Sequence, residues 1–129
     1  MSKPLYQKLG MKPDSEWCLL GRPDHYFEIL GETQDVHFSE EIHDQCDGIH
    51  FFAHHRSDLE EHIVSLGRAI KRDGMLWISW YKKSSPHATD MNEDVVRELC
   101  LPLGLVDKKV CRVDDDWSAL KLVWRKELR

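Results

Sequence analysis

The sequence predicts an α/β fold in three layers, a mostly parallel sheet covered by helices on both faces and closed by an antiparallel hairpin. Three observations carry this. The runs Trp17 to Leu20, Ile49 to Ala53 and Met75 to Trp80 are largely apolar on consecutive residues, as strands buried on both faces require. Helical periodicity stands between them, so each strand is followed by a crossover and the strands run parallel. After Gly104 the period changes to two and persists to Arg125, which makes a hairpin instead of another crossover.

In chain order, Leu5, Tyr6 and Leu9 fit one helical turn that Gly10 stops, and Lys12-Pro13-Asp14-Ser15 is turn chemistry. Glu16 to Leu20 is the first strand, ended by Gly21-Arg22-Pro23-Asp24. Pro23 and Asp24 start a short helix through Leu30, with Tyr26, Phe27, Ile29 and Leu30 as its apolar side and Gly31 as its stop. Gln34 to Phe38 is a weak second strand. In the next strand Ile49, Phe51 and Ala53 share one face and His50 and Phe52 the other. Ser57 with Glu60 has capping-box spacing, and Leu59, Ile63, Leu66 and Ile70 form a core-facing stripe on a helix that Asp73-Gly74 terminates. The third central strand, Met75 to Trp80, opposes Met75 and Trp77 to Leu76, Ile78 and Trp80. Residues 81–89 are loop. Asp90 with Glu93 is a second capping-box pattern, opening a helix with the stripe Met91, Val95 and Leu99 that Pro102 and Gly104 stop. Leu105 to Val113 and Ala119 to Arg125 then form a hairpin at the sheet edge around Asp114-Asp115-Asp116.

The totals bound the function. A chain of 129 residues supports one hydrophobic core, hence one domain over residues 1–129. A net charge of −5 removes the positive field on which non-specific nucleic-acid binding depends, so no nucleic-acid partner is expected. No apolar run approaches the ~20 residues that cross a bilayer, and the start of the chain lacks a signal-peptide core, so a cytoplasmic protein without a membrane partner is expected. Cys18, Cys46, Cys100 and Cys111 show no paired spacing and are expected to be reduced and buried.

The segment Arg68-Ala69-Ile70-Lys71-Arg72-Asp73-Gly74-Met75-Leu76-Trp77-Ile78 resembles the element before the fifth strand of class I S-adenosylmethionine-dependent methyltransferases, and Cys46-Asp47-Gly48-Ile49-His50 resembles the acidic approach to their fourth strand. Over nearly its full length, from Lys8-Leu9-Gly10-Met11 to Trp117-Ser118-Ala119-Leu120-Lys121-Leu122, the chain is similar to an uncharacterised bacterial family of small Rossmann-like proteins. The resemblance implies a Rossmann-like three-layer sandwich of methyltransferase-like topology with one strand-helix unit missing, and it leaves the function open. Two departures stand out. The cofactor loop of such enzymes needs several glycines, whereas Gly21 is followed by Arg22, Pro23 and Asp24. The stretch from Phe38 to Ile49 is also short, either because a strand-helix unit has been deleted to leave a minimal crossover or because Gln34 to Phe38 pairs weakly at an edge. Glu40 or Glu41 stands where the enzymes hold a ribose, though carboxylates are ordinary in such loops.

Cys46, His50 and His54 recur every four residues, but positions four apart on a strand lie ~13 Å from one another, so no metal site is expected and His50 reads as a core histidine with a hydrogen-bond partner. Asp114-Asp115-Asp116 reads as a turn, and no spacing points to a catalytic nucleophile. In an open α/β sheet the strand ends Gly21-Arg22, His54-His55 and Lys82-Lys83 share one edge. With Ser84 and a helix N-terminus capped by Asp90, this makes Arg22, His54, His55, Lys82, Lys83, Ser84 and Asp90 the ligand-binding candidates for a small anion such as a phosphate or carboxylate. The competing structural reading makes Lys82 and Lys83 solubilising charges whose stems cover Trp80. Three functions are compatible with this pattern. The first is a non-enzymatic binding or regulatory module with no cofactor. The second is a small methyltransferase using S-adenosylmethionine in an atypical way, and the third a homo-oligomeric interaction protein using exposed aromatics such as Trp117 and Trp124.

Overall fold

The computed structural model describes residues 3–129. Helix α1 (Leu5–Leu9) leads into strand β1 (Glu16–Leu20), helix α2 (Tyr26–Leu30), strand β2 (His37–Ser39) and strand β3 (Cys46–Phe52). Helix α3 (Arg56–Ala69), strand β4 (Ile70–Tyr81), helix α4 (Glu93–Cys100) and strands β5 (Leu105–Arg112) and β6 (Trp117–Trp124) follow. The strands form one sheet in the order β2-β1-β3-β4-β6-β5. The first four are parallel, and β6 and β5 add in antiparallel register.

Alternation along the strands divides the core in two. Cys18, Ile49, Phe51, Leu76, Ile78 and Leu120 face α3 and α4, whereas Trp17, Leu19, Phe52, Trp77 and Trp117 face α1 and α2. The faces expected for β3 and β4 are those observed. Trp77, fully buried, donates its indole N–H to the Leu9 carbonyl at 2.9 Å and so ties the end of α1 to the sheet. Replacing Trp77 with Phe is expected to cost about 1–2 kcal/mol through that lost bond and the orphaned carbonyl, measurable as a lower urea midpoint with an unchanged slope.

Several local expectations are corrected. Strand β2 is only His37–Ser39, paired with β1 at the sheet edge, and residues 40–45 alone carry the chain across β1 to β3. The minimal crossover and the weak edge pairing therefore occur together. The cap of α3 is His55, not Ser57: its backbone N–H donates to Asp58 Oδ2 at 3.0 Å. Asp73-Gly74 does not end that helix. Strand β4 begins directly at Ile70, and a bulge lets Cys46↔Ile70 pairing give way to Gly48↔Met75. Lys71 explains the early start, since its Nζ reaches Asp47 Oδ1 at 2.9 Å while Asp47 Oδ2 accepts from the Glu16 N–H at 2.7 Å. Gly74 is required by close approach, because a Cβ there would stand 2.9 Å from the Asp47 carbonyl oxygen.

Helix α4 is capped by Asn92, whose Oδ1 accepts from the Val95 N–H at 2.9 Å, and not by Asp90. The hairpin does close one side of the sheet, but β6 lies inside it and only β5 is an edge. Trp117 is consequently buried at 3% exposure, and Trp124 lies half-buried under the Arg72 guanidinium, 4.6 Å from its ring. The exposed aromatic surface expected for self-association is absent at these two residues. Among the described residues no helix is long and apolar enough to cross a membrane.

Candidate functional site

The C-terminal ends of β1, β3 and β4 and the start of β6 share one edge of the sheet. Two contacts tie the loops there. The Lys82 N–H donates to the Asp116 carbonyl at 2.8 Å, and His25 Nε2 lies 2.7 Å from Asp114 Oδ2, joining the segment after β1 to the β5–β6 turn. Burial works against the charge on Asp114. The bonds from His25 and from the N–H groups of Asp116 and Trp117 outweigh it and hold the carboxyl below its usual range. Asp114 is thus committed to turn geometry and to His25, and Asp115 is paired to Arg112.

At the crevice between β1 and β3, Gly21 takes a left-handed φ of 71°, and a Cβ there would stand 3.1 Å from the Phe52 carbonyl oxygen. The rest of the loop is filled by side chains. Arg22 Nε lies 2.7 Å from Glu40 Oε1, and its guanidinium stands 4.8 Å from the Phe27 ring. The ion pair is not a well-aligned hydrogen bond, so the buried Nε–H has no well-directed acceptor. The two positions at which the enzyme resemblance places cofactor contacts, the loop after the first strand and the carboxylate after the second, are therefore joined to one another. Arg22 is held there and does not reach toward the lysines.

Beneath this crevice His50 is fully buried, with Nδ1 2.8 Å from the Tyr26 hydroxyl and Nε2 2.6 Å from Ser79 Oγ. Burial lowers its pKa to about 3 and pushes that of the Tyr26 hydroxyl upward. A serine, a histidine and a tyrosine in line resemble a nucleophile with its base, but Ser79 and His50 are wholly enclosed and no substrate reaches them. The trio is a core network. It bears out His50 as a hydrogen-bonded core residue, on the opposite sheet face from Cys46.

The other expected residues divide. Lys82, Lys83 and Asp90 line one groove of about 370 Å³ with Tyr81, His87 and Asn92. An adjoining groove of about 380 Å³ continues along Trp80, Lys83, Met91 and Ser118, which places Lys83 beside Trp80. Tyr81 is sandwiched between Trp117 and His87, at centroid distances of 4.0 and 4.3 Å, and the exposed His54 meets Tyr81 edge-on. Thr89 pins the loop by donating to the His54 carbonyl at 2.7 Å. Ser84 is exposed and does not line this groove.

Asp90 requires a correction of role. Its Oδ1 accepts from the Arg56 N–H at 2.7 Å and so caps α3, with His55 Nδ1 3.9 Å away. The start of α4 carries Glu93 and Asp94, both engaged by Arg97. Neither helix start is free to hold an anion, and among the described residues Lys82 and Lys83 are the cations of this groove without an ion-pair partner. Tyr81 and His87 were missed as site residues because only tertiary stacking separates them from any loop aromatic.

A second, basic groove of about 350 Å³ lies elsewhere, lined by Lys108, Lys109, Lys121 and Arg129 with Asp73 and Gly74. Burial, then repulsion from Lys109 and Lys108, lowers the pKa of Lys121. Sequence spacing did not show this cluster, because pairing of β5 with β6 is what sets Lys109 beside Lys121.

Residues 27–126 match the family model described as a protein of unknown function (DUF3052). No curated protein matches the sequence. Solved structures similar in fold include a TehB-like SAM-dependent methyltransferase from Corynebacterium glutamicum, with TM-score 0.60 and 10% identity over 93% of this chain and 85% of that one. A ribosomal protein L11 methylase from Lactobacillus delbrueckii gives TM-score 0.59 and 11% identity over 93% and 74%. Magnesium protoporphyrin IX methyltransferase from Synechocystis with bound SAH gives 0.52 and 13% over 75% and 55%. At these identities the likeness establishes the fold alone, a methyltransferase-like Rossmann sheet with an antiparallel C-terminal pair.

Proposed function

This chain belongs to the DUF3052 family of unknown function, and we propose that in it a methyltransferase-like fold serves as a non-enzymatic binding module for a small anionic ligand. The observation that carries the reading is the Arg22–Glu40 ion pair, which joins the two sides of the crevice where a nucleoside cofactor would lie. With that crevice filled by the protein's own side chains, the ligand is assigned to the groove between the end of β4 and the start of α4. Lys82 and Lys83 supply its charge complement, and the outer face of His87, stacked on Tyr81, offers a flat wall. A phosphate or carboxylate group is the expected class.

The second reading, a methyltransferase with atypical cofactor binding, is favoured by the left-handed Gly21 beside the Phe52 carbonyl and by fold neighbours described as SAM-dependent or holding SAH. One experiment separates the two. Inorganic phosphate is expected to raise the thermal midpoint of the wild type, and the double variant Lys82→Ala, Lys83→Ala is expected to lose most of that rise. Loss of the rise in Lys121→Ala instead moves the ligand to the second basic groove and overturns the assigned site. Micromolar binding of S-adenosylmethionine by calorimetry overturns the non-enzymatic reading.

A further inference from the structure

The short crossover of residues 40–45 brings His43 against two cysteines from neighbouring strands, Cys18 within β1 and Cys46 at the start of β3. The ligand atoms of the three side chains all lie within 4.8 Å of one another. We infer that Cys18, His43 and Cys46 form a binding site for a zinc-type cation, with water or an external donor as the fourth ligand.

The donor set suits such an ion, since two thiolates and an imidazole select borderline-soft metals over magnesium or calcium. The ring nitrogens of His43 lie 3.6 and 3.8 Å from Cys46 Sγ. Tetrahedral zinc with bonds of ~2.3 Å to sulfur and ~2.0 Å to nitrogen sets its S···N ligand pairs ~3.5 Å apart. His43 also has the supporting contact of a metal ligand. Its Nδ1 is 3.3 Å from the Asp44 carbonyl, which only accepts; with the proton on Nδ1, Nε2 keeps its lone pair for the ion. The ring is half-buried, so the cluster meets solvent through His43, whereas both cysteines are fully buried.

The sulfurs stand 2.9 Å apart, between the ~2.05 Å of a disulfide and the ~3.8 Å set by tetrahedral zinc, and either product needs a shift of roughly an ångström. His43 decides between them, because a disulfide has no use for an imidazole at ligand distance. On binding, Cys18 and Cys46 each release the Sγ proton to solvent and donate an electron pair to the ion, with no change of oxidation state. Cys46 then gives up the bond it donates to the His43 carbonyl. The ion would fasten the crossover of residues 40–45 to β1 and β3. Sequence spacing conceals the set, because Cys18 is distant in the chain and only His43-Asp44-Gln45-Cys46 is local.

Cobalt(II) titrated into the reduced full chain tests the site. One equivalent is expected to give thiolate-to-cobalt charge transfer and intense tetrahedral d–d bands that zinc bleaches, and zinc is expected to raise the thermal midpoint. Cys18→Ser and Cys46→Ser should each weaken the charge-transfer band. His43→Ala, on the exposed crossover and expected to fold, should weaken zinc binding at least ~10-fold. A pale octahedral cobalt spectrum in the wild type, unchanged affinity in His43→Ala, or formation of a Cys18–Cys46 disulfide by a chain that takes up no metal would each overturn the assignment.

Discussion

Replacing His50 with Ala is expected to destabilise the fold by about 3–5 kcal/mol, among the largest effects of any single change, because it opens a cavity and strips two enclosed hydroxyls of their partner. Tyr26 and Ser79 both end on this ring, at 2.8 and 2.6 Å, and Phe52 stacks on it at 4.2 Å. The same residue sets an acid limit. Its folded pKa, about 3, lies below the unfolded value near 6.5, so protonation favours the unfolded chain. The stability due to neutral His50 is complete above pH ~6.5 and is lost as pH falls toward the folded value, by ~1.4 kcal/mol per unit. Urea unfolding at pH 7.5 and at pH 4.5 is expected to differ by about 2–3 kcal/mol from this group alone. His50→Gln, which keeps a hydrogen-bonding side chain but does not titrate, should be weaker at both values and should lose that part of the pH dependence. An unchanged pH slope in His50→Gln would show that carboxylates, not His50, set the acid limit.

The second large effect is expected at Gly48. A Cβ at this position would stand 2.5–2.6 Å from three carbons of the Trp17 ring, and Trp17 is 1% exposed in the core against α1 and α2. Gly48 pairs with Trp17 on one side and Met75 on the other, so neither backbone can retreat without disturbing the central ladder. Gly48→Ala is therefore expected to cost about 3 kcal/mol by overpacking. The test is a double-mutant cycle with Trp17→Leu, in which the cost of Gly48→Ala falls by more than half because the ring it strikes has gone. An undiminished cost in the Trp17→Leu background would place the requirement for glycine in the backbone instead.

Periodicity made most of the fold readable. The three central strands were visible because burial on both faces leaves a run of apolar side chains, and the change of period after Gly104 announced the hairpin. Boundaries failed where a partner distant in sequence decided them. Ile70 continues the helical stripe by spacing but begins β4, since Lys71 is drawn to the Asp47 carboxylate and Gly74 lets the strand pass close to the Asp47 carbonyl. Asp90 has the local pattern of an N-cap, yet it satisfies the Arg56 N–H of another helix, and Asn92 takes the local duty. Both have one cause: local rules rank what a residue does with its chain neighbours, and a polar group takes whichever partner the tertiary fold supplies.

The candidate site was legible only as an edge. Sequence order predicts that Arg22, His54 and Lys82 gather at one edge, because strands that run parallel have their C-terminal ends on the same side. It does not predict that Arg22 spends its charge on Glu40, that Tyr81 is sandwiched by His87 and Trp117, or that His43 is laid beside Cys18 and Cys46. The order of elements and the absence of a glycine-rich loop are legible from the residues alone, since both follow from side-chain volume and backbone freedom along the chain. Tertiary structure decided which charges stay free and which thiols meet, because those depend on distances of a few ångströms between segments that only the closed sheet brings together.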